Sequence, residues 1–255
     1  MTPLTEKSNR VAAAVKLQRP SGRRHAARFL AEGANLVESA LRRGLVDEVF
    51  VTEDAAERFG ELLVGAPIQL VTERGAKALS DTVTPVGLVA VCRMPEASLA
   101  DVLASPRLVA VAVDTADPGN AGTMIRLADA MGADALVLAG EGVDPYNAKC
   151  LRASAGSIFS VPVVDAPDTL ALISELVNAE LVVMAATLDG ERALDEMNLD
   201  VPTAWLFGSE AHGLPVDVAA AADVRVRIPM RGSAESLNVA AAAAICLYES
   251  SRASR

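Results

Sequence analysis

One arginine stands in a helical segment whose other large residues predict burial. In DPGNAGTMIRLADAM, residues 117–131, apolar residues recur at helical spacing and predict one core-facing side: Met124, Leu127, Ala128 and Met131. Arg126 lies off that side, and its guanidinium carries a permanent positive charge and five hydrogen-bond donors. Such a group can bind a phosphate or stabilise a developing oxyanion. The alternative is a surface arginine on an amphipathic helix.

Three stretches of the second half place small or polar residues directly after an apolar run. They are NAGTMIR (120–126), FGSEAHGL (207–214) and IPMRGSAESLNVA (228–240). Ligands of open α/β sheets bind at the carboxyl ends of the strands, so we expect these stretches to line one site. The polar side chains that they would contribute are Asn120, Glu210, Ser236 and Asn238.

The four polar residues also have structural explanations. Glu210 could pair with a basic group, accept backbone N–H bonds in a turn, or simply stand as a charge at a helix N-terminus. Ser236 is a predicted helix N-cap. Asn238 is a poor helix former at the start of an Ala-rich helix, so it either points into a pocket or supplies a second cap.

Several familiar cofactor motifs are missing from the sequence. Gly140 and Gly142 are not followed by the third glycine of GxGxxG, and the Walker, HExxH and GxSxG patterns are absent. His212 has no Cys, Asp or His at metal-ligand spacing, so we interpret it as a loop residue and predict no metal site. A nicotinamide-dependent oxidoreductase on a doubly wound sheet is an alternative, and the absence of its glycine-rich motif counts against it.

The elements around these stretches predict an α/β protein in two parts. In the first part, helices at about 28–43, 54–63 and 73–80 alternate with strands at 48–52, 67–72 and 87–92. Near-continuous apolar runs in the second part predict a parallel sheet buried on both faces, at 108–114, 135–140, 159–164, 181–187, 204–208 and 224–229. A buried Ala-rich helix is predicted at 236–250, and a helix starting at Asn120 and ending at Met131.

Positive charge is concentrated at the N-terminus of an acidic chain. The net charge is −10, yet residues 1–43 hold nine Lys/Arg and three Asp/Glu. This asymmetry predicts a basic arm that binds a polyanion, with a solvated tail as the alternative. The candidate RNA contacts are Arg10, Lys16, Arg19, Arg23, Arg24 and Arg28.

The spacing of the cysteines and the hydropathy of the chain indicate the cellular compartment of the protein. Cys92, Cys150 and Cys246 are widely spaced and are expected to be small buried hydrophobic residues rather than disulfide partners. No apolar stretch approaches the roughly 20 residues of a membrane span, and the N-terminus lacks the apolar core of a signal peptide. We therefore expect a cytoplasmic protein without membrane partners.

Together and in this order, the three stretches resemble the three motifs of the SpoU (TrmH-like) RNA ribose 2′-O-methyltransferases of the SPOUT superfamily. Asn120-x-Gly122-x3-Arg126 resembles the first motif, and Gly208-Ser-Glu210-Ala-His-Gly213-Leu214 resembles the second, G-x-E-x-x-G-[LM]. Ile228-Pro-Met230 through Ser236-Leu-Asn238-Val resembles the third. Residues 149–162 are similar to the family segment between the first two motifs, which adds Arg152 to the candidate RNA contacts.

The resemblance implies a domain organisation that periodicity alone does not. It implies a basic arm at 1–24, a small α/β substrate-binding domain similar to ribosomal protein L30e at 25–95, and a linker at 96–106. Residues 107–255 would form the catalytic parallel-sheet SPOUT domain with a deep trefoil knot. The resemblance further implies a homodimer with the active site at the subunit interface.

The resemblance also implies a cofactor and roles for the residues. S-adenosylmethionine would be bound by Thr187, Leu188, Gly208, Ile228, Met230, Ser236 and Leu237. Arg126 would act on the target phosphate or ribose 2′-oxygen, and its high pKa favours electrostatic stabilisation over action as a base. Asn120, Glu210, Ser236 and Asn238 would hold Arg126, the ribose and the cofactor in place.

The implied substrate is ribosomal RNA of the large subunit, as in the branch that includes thiostrepton-resistance enzymes. Two alternatives within this fold stay open. One is the transfer RNA branch of the same family, and the other is a non-catalytic RNA-binding or ribosome-assembly protein.

Overall fold

The computed structural model describes residues 2–253, which form two compact units. The N-terminal unit comprises residues 2–96 and 146–159. The C-terminal unit comprises residues 97–145 and 160–253. Each unit has its own sheet.

The elements are numbered along the chain. The strands are β1 (Arg28–Glu32), β2 (Val46–Val51), β3 (Ile68–Leu70), β4 (Leu88–Arg93), β5 (Leu108–Val113), β6 (Ala135–Ala139), β7 (Val163–Ala166), β8 (Val182–Ala186), β9 (Arg192–Ala193), β10 (Thr203–Phe207) and β11 (Val224–Arg227). The α-helices are α1 (Asn9–Val15), α2 (Pro20–Ala26), α3 (Ala34–Arg42), α4 (Glu53–Arg58), α5 (Glu73–Leu79), α6 (Leu99–Val102), α7 (Pro118–Ala130), α8 (Ala148–Ser154), α9 (Thr169–Asn178), α10 (Val216–Ala221) and α11 (Val239–Ala253). Short 3-10 turns cover Lys16–Gln18, Ser157–Phe159 and Leu194–Glu196.

The N-terminal unit is built on a mixed sheet in the order β1-β4-β2-β3. Strand β4 pairs antiparallel with β1 and β2, and β2 pairs parallel with β3. A single helix was predicted at about 28–43, and this is wrong: the chain forms β1 and then α3. Residues 28–32 alternate between buried and more exposed positions, and Gly33 (φ 94°) then turns the chain into α3.

The predicted basic arm at 1–24 is packed into the N-terminal unit over its described residues. Leu4 extends the sheet beyond β3, donating its N–H to the Leu70 carbonyl at 2.8 Å. Val11, Ala14 and Leu17 are buried in the core formed with the sheet. Their spacing places them on one side of the helical segment, so burial of apolar surface holds this segment in place.

Residues 146–159 also belong to the N-terminal unit, although the sequence placed them in the domain starting at 107. The ring of Phe29 lies 4.7 Å from that of Tyr146 and 5.8 Å from that of Phe159, measured between centroids. The strand predicted at 159–164 is therefore a 3-10 turn at Ser157–Phe159, and β7 begins only at Val163. Aromatic packing on β1 outweighs the strand propensity of FSVPVV.

The C-terminal unit contains the predicted parallel sheet, in the order β7-β6-β5-β10-β8-β11-β9. Alternate residues of β10 face opposite sides. Leu206 lies in the core with Leu172 of α9, while the Trp205 indole donates to the Ser250 hydroxyl of α11 at 2.9 Å. Both faces are covered, which explains the unbroken apolar strands and confirms the predicted sheet.

The cysteines and the hydropathy of the helices can also be compared with the sequence. Cys92, Cys150 and Cys246 are buried, as predicted, and none of them is in a disulfide. Within residues 2–253, no helix combines the length and hydropathy needed to cross a bilayer.

Candidate active site

Helix α7 begins two residues earlier than the sequence predicted. The Asp117 carboxylate accepts the N–H of Asn120 at 3.0 Å and caps the helix, and Pro118 occupies the first helical position. Asn120 is therefore a half-buried residue of the first turn. Ile125 is buried on the core side, whereas Leu127 and Met131 are only half-buried.

Arg126 is exposed on α7. Among residues 2–253, no carboxylate or carbonyl oxygen pairs with its guanidinium. This is unlike Arg225 or Arg252, which lie against carboxylates of the same chain. The guanidinium is thus available to an anion from outside the chain.

The loop after β10 folds tightly back on itself. A Cβ at Gly208 would lie 2.1 Å from the carbonyl carbon of Gly213, so no larger residue fits there without moving the backbone. Gly213 has φ 67° and donates its N–H to the Ser209 carbonyl at 2.8 Å. The turn leaves Glu210 exposed at its tip.

Asn238, and not Ser236, caps helix α11. Its Oδ1 accepts the N–H of Ala240 at 2.9 Å and that of Ala241 at 3.3 Å. The prediction that Ser236 is the cap is therefore wrong, because the helix starts at Val239 and Ser236 lies two residues before the cap in an exposed segment. Of the two alternatives for Asn238, the helix cap is confirmed, whereas the residue is absent from the lining of the cleft described below.

The side-chain amide of Asn238 joins the three stretches at one point. Because Oδ1 is occupied by backbone donors, Nδ2 must face the other way. It donates to Asn120 Oδ1 at 3.2 Å and, over a longer 3.4 Å, to Glu210 Oε1. The structure thus brings together three of the predicted catalytic residues from α7, the loop after β10 and the start of α11.

A cleft of about 500 Å³ lies at the carboxyl ends of β8, β10 and β11. Its lining includes Glu210 and every residue predicted to contact a cofactor: Thr187, Leu188, Gly208, Ile228, Met230, Ser236 and Leu237. His212 also lies in the wall. Asn120, Arg126 and Asn238 are outside this lining, so the cleft and the polar cluster are adjacent and meet at Glu210.

Two features of the cleft wall suit a bound polar ligand. The Thr187 hydroxyl is buried and has no hydrogen-bond partner among residues 2–253. A buried hydroxyl left without a partner is costly, so it marks a position where a ligand atom would be stabilising. The second feature is the backbone of Gly208, which lies in the cleft wall and is held there by its close packing against Gly213.

The segment after β8 forms one wall of the cleft and is held in place by Arg225, a residue that was not predicted from the sequence. Arg225 of β11 contacts Glu191 (Nε–Oε2, 3.0 Å) and Asp189 (Nη1–Oδ2, 3.2 Å). Backbone N–H groups of Glu191 and Arg225, together with the Arg225 charge, lower the pKa of Glu191. The charged alternation VRVR was the available signal, since opposite charges on neighbouring segments of a sheet pair favourably.

The candidate RNA contacts fall into three groups. Lys16, Arg19 and Arg24 are exposed and form no ion pair within residues 2–253. Three others face carboxylates: Arg10 pairs with Glu48, Arg28 with Asp47 and Arg152 with Asp81. Arg23 is only 3% exposed and donates to the carbonyls of Leu17 and Gln18, which argues against its predicted contact with RNA.

Comparison with known proteins identifies both parts of the chain. Residues 107–248 match the SpoU rRNA Methylase family, and residues 8–90 match the MRM3-like substrate binding domain. The chain is 38% identical over 221 residues to the 23S rRNA (guanosine(2553)-2′-O)-methyltransferase RlmP of Bacillus subtilis (strain 168). That similarity covers 86% of this chain and 87% of RlmP.

Solved structures agree with the sequence comparison. The crystal structure of an RNA 2′-O ribose methyltransferase is similar over 99% of both chains, with 35% identity and a TM-score of 0.86. An AdoMet-bound rRNA methyltransferase from Sinorhizobium meliloti has 32% identity and a TM-score of 0.85, covering 98% of this chain and 97% of that one. With its family match spanning more than half of its length, the chain belongs to the SpoU rRNA methylase family.

Proposed function

We propose that this chain is an enzyme that transfers a methyl group from S-adenosylmethionine to a ribose 2′-oxygen of large-subunit ribosomal RNA. Family membership supports the reaction, and similarity to the 23S rRNA methyltransferase RlmP supports 23S rRNA as the substrate class. The observation that carries the proposal is the Asn238 amide, which joins Asn120 and Glu210 beside a cleft lined by all the residues expected to hold the cofactor.

The residues of the cleft fit S-adenosylmethionine. When bound, the cofactor supplies the electrophilic methyl group on its sulfonium. The unpartnered Thr187 hydroxyl can hydrogen-bond a polar edge of the ligand, and the backbone of Gly208, held in the tight turn with Gly213, lines the same cleft. Leu188 and Leu237 are 65% and 38% exposed in the chain alone, so covering an apolar face of the ligand would bury them.

The polar cluster supplies the substrate side of the reaction. Arg126 would bind the phosphate next to the target ribose, or its 2′-oxygen as negative charge develops there. Asn238 fixes the orientation of Asn120 and of the Glu210 carboxylate. Glu210 Oε2 accepts no hydrogen bond within residues 2–253, so it remains available to the ribose hydroxyl or to a guanidinium. Ser236 would contact the ligand from the cleft wall.

We further propose a homodimer with the active site at its interface. Ile245 and Tyr248 are 37% and 50% exposed and lie three residues apart on one side of α11. Helix α11 packs against α7, which carries the unpaired Arg126. A second copy covering this surface would bury the apolar residues and complete the surroundings of Arg126.

The trefoil knot, the likeness of the N-terminal unit to protein L30e and a cytoplasmic location also belong to the proposal. The strand order supports the knot: β10 lies between β5 and β8, β11 lies on the far side of β8, and α11 then returns to pack against β5 and β10. The match of residues 8–90 to a substrate binding domain supports an RNA-binding role for the N-terminal unit.

Transfer of labelled methyl groups tests the proposal directly. The purified chain is incubated with methyl-labelled S-adenosylmethionine and either 23S rRNA or transfer RNA, and the modified ribose is located as a site resistant to alkaline cleavage. We expect label in 23S rRNA at one ribose. Label in transfer RNA alone would assign the chain to that branch, and RNA binding without any transfer would indicate an assembly protein.

A further inference from the structure

A second, smaller cavity of about 90 Å³ lies within the N-terminal unit. Leucines form much of its wall: Leu17, Leu30, Leu36, Leu79 and Leu151. Its polar lining includes Glu32, Asp81, Arg152 and Tyr146. Apolar walls with a few fixed polar groups are typical of small-molecule sites. The family match describes residues 8–90 as a substrate binding domain, but neither this match nor the methyl-transfer chemistry assigns a role to the cavity itself.

Glu32 presents a fixed and incompletely bonded carboxylate to the cavity. Its Oε1 accepts hydrogen bonds from the hydroxyls of Ser80 at 2.6 Å and Thr82 at 3.2 Å. Its Oε2 accepts none, and no cation pairs with Glu32 within residues 2–253. A half-buried carboxylate held in place by two hydroxyl donors, with one oxygen free, is suited to a ligand that carries N–H donors.

The cavity also has flat surfaces on which a planar ring could stack. The Arg152 guanidinium is held by two contacts with Asp81, Nη1–Oδ1 at 2.5 Å and Nη2–Oδ2 at 3.3 Å, and its plane is therefore fixed. The Tyr146 ring lies against Phe29. Arginine planes and tyrosine rings are the surfaces on which unstacked RNA bases pack.

Unpaired positive charge lies next to the cavity in the sequence. Lys16 and Arg19 flank the cavity residues Leu17 and Gln18, and Arg24 follows the cavity residue Arg23. These three side chains are the exposed cations described above as lacking ion pairs. They would hold the phosphates of a strand whose base enters the cavity.

We infer that this cavity binds one unstacked RNA base, whose N–H groups donate hydrogen bonds to the Glu32 carboxylate. Guanine fits best, because its N1–H and N2–H lie side by side and can both donate to the one free oxygen, Oε2. Adenine and cytosine place a ring acceptor beside the amino group, and uracil flanks its single N–H with two carbonyls. The inference rests on the proposed function only in taking RNA as the substrate.

The test measures binding of the full chain to four stem-loop RNAs by fluorescence anisotropy. Their stems are identical, and their six-nucleotide loops are uridine except for one central G, A, C or U; a fifth carries inosine, which lacks the N2 amino group. We expect the G loop to bind about tenfold tighter than the U loop, and the inosine loop to fall between them. Glu32→Gln should abolish this preference and weaken G-loop binding.

Whether Glu32→Gln weakens or strengthens RNA binding distinguishes recognition of a base from general electrostatic attraction. Removing a negative charge from an RNA-binding surface should otherwise strengthen binding to every RNA. Glu38→Gln is the matched control, because Glu38 is a surface residue of α3 paired with Arg42 and lies outside the cavity. Ser80→Ala, which keeps the charge but removes a hydroxyl that holds Glu32, should reduce the preference severalfold.

Two outcomes would overturn the inference. One is wild-type protein that binds all five loops equally, and the other is Glu32→Gln protein that keeps the G preference while melting like the wild type. Either result can coincide with normal methyl transfer to ribosomal RNA, so failure of this inference is distinguishable from failure of the proposed function.

Discussion

The side-chain Nδ2 of Asn238 lies 3.2 Å from Oδ1 of Asn120, a residue 118 positions earlier in the chain. The same Asn238 side chain caps α11 through Oδ1. One residue therefore fixes both where the last helix begins and how the polar groups of the site are oriented. Its two roles use opposite ends of one amide, so they can be separated by substitution.

Asn238→Asp should keep the helix cap and lose the site geometry. Aspartate accepts the Ala240 N–H as well as asparagine does, but it cannot donate to Asn120 and it repels Glu210. We expect a melting temperature near that of the wild type and at least a tenfold loss of methyl transfer. Asn238→Ala should in addition lose about 1 kcal/mol of stability with the cap. An aspartate variant with full activity would contradict the role given to the amide.

Arg126→Ala should abolish methyl transfer and leave cofactor binding and stability nearly intact. The side chain is exposed and unpaired, so its removal should change the free energy of unfolding by no more than about 0.5 kcal/mol. Calorimetric titration with S-adenosylmethionine and the methyl-transfer assay give the two readouts. The control is Arg107→Ala, at the amino end of β5, where the arginine faces Asp200 away from the site. Equal losses in the two variants would refute a specific role.

Gly208→Ala should weaken cofactor binding because a methyl group cannot be accommodated in the loop. The added Cβ would meet the backbone of Gly213 at 2.1 Å, so the turn must open, at a cost of about 1–3 kcal/mol. We expect at least a tenfold higher Kd for S-adenosylmethionine and a lower melting temperature. Gly232→Ala is the matched control in the neighbouring segment, since its Cβ would meet no atom within 4 Å.

Arg225→Gln should raise the Kd for S-adenosylmethionine about threefold to tenfold and leave kcat at saturation nearly unchanged. Arg225 acts as a positioning residue, because its contacts with Asp189 and Glu191 order the wall that contains Thr187. Arg225→Lys should partly restore binding. The comparison is Arg192→Gln, which removes a contact with Glu196 outside the cleft. A fall in kcat with unchanged affinity would argue against this assignment.

The three cysteines should resist thiol reagents in the native protein from pH 7 to pH 9. Burial raises the pKa of Cys92, where Asp47 adds to the effect, and of Cys246 to about 12, so the reactive thiolate is scarce over this range. Cys150 is also buried. All three should react promptly in urea, and rapid labelling of the folded chain would show that its core opens.

Much of the C-terminal unit was predictable because its strands are apolar on both faces, a pattern that few other structures produce. The details at helix starts were less accessible. Asp117-Pro118 was a readable cap and first-turn signal, yet Asn120 competed with it; Ser236 competed with Asn238 in the same way. Side chains of similar capping strength two or three residues apart cannot be ranked without tertiary contacts.

The N-terminal unit was harder to predict for a different reason. Charge at 1–24 suggested an arm, and Val11, Ala14 and Leu17 were too few to outweigh it by pattern alone. Nothing local in residues 146–159 tells which sheet their aromatic side chains pack against. The cap at Asn238 was predicted as one of two alternatives, but its hydrogen bonds with Asn120 and Glu210 were not predicted, because a long-range hydrogen bond leaves no periodic signature.

Because residues 146–159 belong to the N-terminal unit, the two units share three junctions instead of one. Recombination at a single point could not have fused this catalytic unit with this substrate-binding unit as they stand. A gene fragment starting at residue 97 would likewise carry α8 and Phe159 without β1, against which they pack. The two family matches thus cover consecutive segments of the sequence, whereas each folded unit is built from two separate segments of the chain.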